Sequence, residues 1–211
     1  MKETQVAAVI FDCEYTAWEG SLARSWSNTN EDPEIIAIGA VKLCVEGEDL
    51  ILGPEFDVLV RPTRRPRLSA YITQLTGIKQ ETLDENGLEF SSAMTGFCRF
   101  IGRCPRVCSN GDDWSVLERN CEINQLKNPL SKRMFLNLRP LLAKCLDLPR
   151  ESDKLHSHRL GKSGPAGEFA DHPRGTPHNA LDDAKAVARQ CCAIKGTRFV
   201  DELLFFDQPA Q

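Results

Sequence analysis

An uninterrupted apolar run at residues 6–11, carrying Val6, Val9, Ile10 and Phe11, reads as a buried strand. A second run at 34–43 and a third at 55–60 follow, joined through the turn-like Glu46, Gly47 and Asp49. Together the three predict an antiparallel meander. Beyond residue 67 the apolar period becomes helical. The segment 68–80 is helical until Gly77 breaks it, and Phe90, Ala93, Met94, Phe97, Phe100 and Ile101 recur on one helix face. Short segments at 106–109 and 134–138 read as a fourth and a fifth strand. Trp114, Val116, Leu117 and Cys121 mark a helix between them, and Arg139 with Pro140 opens another that runs to 146. The last helix is expected over 180–195, with Leu181, Ala184, Val187, Ala188, Cys191 and Ile194 on its apolar stripe and Gly196 ending it. This organisation gives one domain over 1–196. The segment 197–211, with Leu203, Leu204, Phe205 and Phe206, is too apolar for a free tail and is expected to dock on the core or on a second copy, a homodimer.

Composition narrows the classes. A chain of 211 residues, 41% hydrophobic and 27% charged, has the profile of an ordinary globular domain, which excludes disordered and membrane-spanning classes. The start Met1, Lys2, Glu3, Thr4, Gln5 lacks an apolar signal core, so the expected location is cytoplasmic. Nine cysteines at irregular positions suit free thiols in a reducing compartment, and neither Cys104 with Cys108 nor Cys191 with Cys192 has a zinc-ribbon spacing. The net charge of −4 argues against a globally basic nucleic-acid binder, although bound cations can neutralise phosphates locally. Three further features bear on binding. Arg61, Arg64, Arg65 and Arg67 among Pro62 and Pro66 form a basic loop that either holds phosphates or is a solvated turn. Residues 15–33 read as a loop over the site, its Trp18 and Trp26 placed on the core in preference to a stacking surface. Residues 152–177, with His156, His158 and His172, read as a mobile surface loop.

The chemistry lies in scattered carboxylates. Asp12 and Glu14 follow the first strand, and alternation puts both on one side with Cys13 opposite. Asp112 and Asp113 stand where the fourth strand meets a helix, and His178 precedes Asp182 and Asp183 at the start of the last helix. Each alone has a plain structural explanation, a solvated strand end or an N-cap. Taken together, acidic groups at strand ends and helix starts with a neutral imidazole nearby fit two-metal phosphoryl hydrolysis, with hard oxygens favouring Mg²⁺ or Mn²⁺ and the histidine accepting a proton near pH 7.

Asp12, Cys13 and Glu14, then Asp113 with Val116 and Leu117, then His178, Ala180 and Asp183 resemble the three motifs of the DEDDh branch of the DnaQ-like 3′→5′ exonucleases. Leu75, Thr76, Gly77 and Ile78 are similar to the segment between that family's first two motifs, and the resemblance covers residues 6–195. It implies a ribonuclease-H-like α/β fold, a five-stranded mixed sheet flanked by helices. It implies two Mg²⁺ or Mn²⁺ ions held by Asp12, Glu14, Asp113 and Asp183, with His178 as general base. The family helix selects Asp113 over Asp112, and the family spacing from the histidine selects Asp183 over Asp182. Tyr15 and Thr16, together with Leu75, Thr76 and Gly77, are then expected to hold the terminal nucleotide of a single strand. Within the family the chain looks nearest the branch of KapD-type proteins and histone-mRNA 3′-end exonucleases, which favours RNA. The alternative is a catalytically silent module of the same fold that binds nucleic acid or protein.

Overall fold

The central strand, β1 (Gln5–Tyr15), is buried on both faces for most of its length, as a run without polar alternation requires. The computed structural model describes residues 5–47, 49–156 and 178–194. On one side β1 pairs antiparallel with β2 (Ile35–Glu46), which pairs antiparallel with β3 (Asp49–Leu59), the expected meander. On the other side it pairs parallel with β4 (Val107–Ser109), and β4 pairs parallel with β5 (Phe135–Asn137). The sheet order is β3-β2-β1-β4-β5, a five-stranded mixed sheet.

Alternation along β1 divides the core. Ala8 and Ile10 face a layer closed by α5 (Arg139–Cys145) and α6 (Ala180–Ala193), through Leu142, Val187 and Cys191. Val9, Phe11 and Cys13 face the opposite layer under α3 (Phe90–Ile101) and α4 (Asp113–Ile123), where Phe11 and Phe97 pack with ring centroids 5.4 Å apart. Burying one such side chain stabilises the fold by roughly 1.5–3 kcal/mol, so this pair anchors its layer. A smaller cluster joins Ile36 to Ile72 of α1 (Ala70–Thr76) and Leu83 of α2 (Gln80–Asn86).

Several boundaries differ from the expectation. β1 continues past Phe11 to Tyr15, so Asp12 and Glu14 lie within the strand. β3 starts at Asp49, well before residue 55, and passes through Gly53 and Pro54; an edge strand tolerates a residue without an N–H. The helix α2 has one buried residue, Leu83, and so no apolar stripe to reveal it. The last helix ends at Ala193. The C-terminal segment 197–211, His158 and His172 lie outside the described residues. Among the described residues no helix is long and apolar enough to cross a membrane.

Candidate active site

Three backbone arrangements bring the acidic residues together. Asp12 and Glu14 leave the same side of β1 at its carboxyl end, while Cys13 enters the core beneath α3 and α4. The parallel neighbour β4 ends at Ser109, and the turn after it delivers Asp113 as the first residue of α4. The third arrangement is the start of α6. Asn179 caps it, its Oδ1 accepting from the Asp182 N–H at 3.0 Å. Asp183 follows and is 7% exposed, its carboxylate accepting the backbone N–H of His178. His178 itself has φ 61°, a left-handed conformation that costs a non-glycine residue about 1–3 kcal/mol and marks a constrained turn.

The start of α6 rests directly on β2. A side chain on Gly39 would place its Cβ 2.0 Å from the Leu181 nitrogen and 2.2 Å from the Ala180 carbonyl carbon. Gly39 is also the β2 partner of Asp12 across the β1–β2 ladder. The close approach therefore depends on a residue without a side chain, and it seats the Asp183 turn over the Asp12 end of the strand. Sequence reasoning passed over Gly39, although a lone glycine inside an apolar strand is the usual sign of such an approach.

The result is a cleft of about 330 Å³ lined by Asp12, Glu14, Asp113, His178 and Asp183, and ligand atoms of Glu14, His178 and Asp183 lie within 4.8 Å of one another. Asp112 is exposed and outside this cleft. Asp182 is turned toward the neighbourhood of Asp57. Burial, followed by repulsion from Asp183 and Asp113, pushes Glu14 up to about 8. Burial pushes Asp183 up to about 7 and Asp113 to about 6, the latter held down in part by Ser109 and the Cys13 N–H. Asp12 is raised well above the carboxylate range by burial, then by Asp113, Glu14 and Asp183. The causes that dominate these shifts are burial and, for Asp12 and Glu14, repulsion among the carboxylates, which bound cations would relieve. The donors of the cluster are hard oxygens with one imidazole, a set suited to Mg²⁺ or Mn²⁺. His178 is shifted down by burial and by His156, which keeps its ring neutral near pH 7.

The expected substrate residues divide. Tyr15 and Leu75 line the cleft. Thr16, Thr76 and Gly77 do not line it. The Thr16 hydroxyl donates to the Asp32 carbonyl and accepts from the Glu34 N–H. That of Thr76 donates to the Ile72 carbonyl and accepts from the Ile78 N–H. Gly77 closes α1 with φ 73°, and a Cβ there would meet no protein atom within 4 Å. Trp18 and Trp26 are half-buried and line the cleft; only Trp26 also packs on a core cluster, so the capping role holds for that residue in part.

Asn110, Arg139 and His156 also face the cleft and carried no sequence signal. Arg139 donates from Nε to the Arg150 carbonyl at 2.8 Å and from a terminal nitrogen to the Ser152 carbonyl at 3.2 Å, and Asn110 donates to the Leu155 carbonyl at 2.6 Å. Residues 152–156 are thus tied down where a mobile loop was expected. The basic loop is also anchored. The backbone N–H groups of Thr63, Arg64 and Arg65 converge on the buried Glu34 carboxylate at 2.7, 2.7 and 3.2 Å, and Arg64 pairs with Asp32 at 3.3 Å. It braces the loop at 16–33, which is a structural use that neither expected reading included.

A family model described as Exonuclease (RNase_T) matches residues 9–191. Mouse ERI1 exoribonuclease 2 is 28% identical, over 99% of this chain and 32% of the mouse protein. The probable 3′-5′ exonuclease KapD of Bacillus subtilis is 30% identical, over 86% of this chain and 80% of its own length. The chain spans about a third of the mouse relative. The fold is shared with the nuclease domain of 3′hExo, a DEDDh family member bound to rAMP: TM-score 0.70 at 24% identity, over 88% of this chain and 89% of that domain.

Proposed function

Because the chain belongs to the exonuclease family of the RNase_T model, we propose that it is a Mg²⁺- or Mn²⁺-dependent 3′→5′ exonuclease acting on single-stranded nucleic acid, with RNA preferred. The observation that carries this reading is the convergence of Asp12, Glu14, Asp113 and Asp183 in one cleft, raised by burial, beside a histidine held neutral. The relatives named as exoribonucleases support RNA over DNA.

The four carboxylates would hold two divalent cations. Bound there, such a pair supplies charge neutralisation and polarisation of the phosphodiester. Tyr15 and Leu75 wall the space beside the acidic cluster and orient the terminal nucleotide. His178 accepts the proton of the attacking water through its imidazole, whose orientation is set by the left-handed backbone at this position. Water oxygen bonds to phosphorus, the bond to the 3′ oxygen of the preceding nucleotide breaks, and that oxygen leaves with a proton. The products are a 5′-mononucleotide and a strand one residue shorter.

A 5′-labelled single-stranded RNA incubated with the protein and Mn²⁺ is expected to shorten into a ladder from its 3′ end, and chelation should stop it. Asp12→Ala should abolish the ladder with the circular-dichroism spectrum unchanged. A ladder at the wild-type rate from that variant would overturn the reading.

A further inference from the structure

Charge is unevenly divided along the chain. The net charge is −4, yet there is no Asp or Glu between Phe90 and Gly111 or between Ile123 and Leu146, and both stretches carry Lys and Arg. The fold brings the two stretches together. β4 and β5 pair in parallel from Val107 and Phe135, so the turn after α3 and the single 3₁₀ turn Lys132–Met134 enter the sheet side by side. The Arg106 guanidinium donates to the Arg133 carbonyl at 3.0 Å and fastens one to the other. The face so formed, continued by the segment that follows α4, carries Arg99, Arg103, Lys127, Lys132 and Arg133, all exposed. None of these five makes an ion pair among the described residues, and Glu122 at the end of α4 is engaged by Arg119 at 3.1 Å. The basic loop at 61–67 differs, since Arg64 there is paired with Asp32. The dipole of α3 accounts for Arg99 in its last turn, and a single 3₁₀ turn has no comparable field for the others. Like charges gathered on one surface repel, and a bound polyanion relieves that repulsion.

We propose that this basic face is a second nucleic-acid contact, separate from the cleft, that grips the sugar–phosphate backbone without reading bases. The identity of the polyanion rests on the reading of the chain as a nuclease. Asp113 opens α4 in the cleft, and the face lies at the other end of that helix, 11 residues or roughly 16 Å away. At about 3.4 Å per phosphate along a stacked strand, an RNA with its 3′ end in the cleft meets the face no sooner than about five nucleotides upstream. Guanidinium forks match phosphate oxygens, and Arg99, Arg103 and Arg133 supply three of them. The Phe100 ring on this side is already covered by Lys42 Nζ, 5.0 Å from its centroid, so the contact is with phosphates and not with a stacked base. The face also answers a difficulty of the cleft, whose carboxylates repel a strand until cations bind: it attracts the strand at a distance from them.

The test uses a closed circular single-stranded RNA, which has no 3′ end to offer the cleft, and measures its binding to the full chain without divalent metal across a salt series. The variant Arg99→Gln/Arg103→Gln/Arg133→Gln changes exposed side chains alone and keeps the Arg133 carbonyl that Arg106 holds. It should bind the circle about tenfold more weakly or worse at low salt, with the slope of log K against log salt reduced by about 2, the share of three phosphate contacts on a single strand. A control, Arg61→Gln/Arg67→Gln/Lys79→Gln, removes the same charge from exposed positions elsewhere and should leave the slope unchanged. An unmoved slope in the first variant, or an equal change in the control, would overturn the face. So would binding to phosphatidylserine vesicles with none to the circle. Cleavage of a 5′-labelled trinucleotide with Mn²⁺ is measured in parallel, because that ligand is too short to span both sites. The first variant should cleave it at the wild-type rate, and a slower rate would show that the face is not separate from the cleft. Trinucleotide cleavage with an unmoved slope rejects the face and leaves the hydrolytic reading standing; a reduced slope with no cleavage by wild type does the reverse.

Discussion

The acidic cluster and the loop at 16–33 face the same cleft but are built by different means. The cluster hangs on regular elements: the carboxyl end of β1, the first residue of α4 and the first turn of α6. Backbone pairing and the seat on Gly39 fix its geometry, and the side chains add repulsion. The loop has no strand or helix, and it is held by side-chain hydrogen bonds that Ser21 and Arg24 donate to Glu31 and Trp26 donates to the Thr16 carbonyl. Groups that must meet to within an ångström sit on elements that cannot drift, while groups that need only present a surface sit on a braced loop. The two regions should therefore fail differently when altered.

The largest effect is expected inside the cluster. Asp183→Asn should lower single-turnover cleavage on the order of 10³-fold, in the range seen when a transition-state-stabilising group is lost. At pH 7 the metal-free protein carrying Glu14→Gln should melt about 2–4 °C higher than wild type, because Glu14, pushed up to about 8, must take up a proton on folding and a glutamine need not; the difference should shrink as the pH is lowered toward 4. A lower melting temperature would mean that the cluster is already compensated. Next comes the seat of the helix. Gly39→Ala should cost on the order of 10²-fold in kcat and weaken Mn²⁺ binding, since α6 must lift and displaces Asp183 by a fraction of an ångström or more. Wild-type kcat would show that the backbone contact is not what places the carboxylate. In the loop, Arg24→Ala releases the pairing with Glu31 and should raise KM for RNA about fivefold to tenfold with kcat nearly unchanged, as for lost binding common to ground and transition states. A fall in kcat as large as that of Gly39→Ala would erase the distinction. The smallest effect belongs to Thr76→Val, at a residue that does not line the cleft. It should cost about 0.5–1.5 kcal/mol in denaturant unfolding, with activity per folded molecule within about twofold of wild type.

The same division governs how much was legible in the sequence. β1, β2, α3 and α6 show in the apolar period because burial of whole faces imposes that period. Asp12 and Glu14 were legible from alternation near the end of β1, whereas the choice of Asp113 over Asp112 and of Asp183 over Asp182 rested on the family resemblance; the cleft brings all four together. Asn110, Arg139 and His156 were not, because their place depends on which backbone carbonyls a turn happens to present, and carbonyls carry no residue code. Leu22 gave no signal in a polar loop, and Trp26 was assigned to the core because burial is the usual fate of its residue type. The start of β3 was obscured by Gly53 and Pro54, which an edge position tolerates. Thr16 and Thr76 stand beside cleft residues in the chain, but their hydroxyls are spent on backbone partners.

The alternation of Asp12, Cys13 and Glu14 across β1 has a consequence for insertions and deletions. Between Ala8 and Glu14 the strand pairs with β2 without a break in register, whereas irregularities occur at Val6/Ala8 and Glu14/Tyr15. An extra residue near Val6 can be absorbed by enlarging a distortion that already exists. One added or removed within 9–13 would exchange the two faces, sending two acids into the phenylalanine layer and a thiol into the water-facing groove. Frame-preserving length changes should therefore be tolerated at the foot of this strand and lethal over the span just before its end.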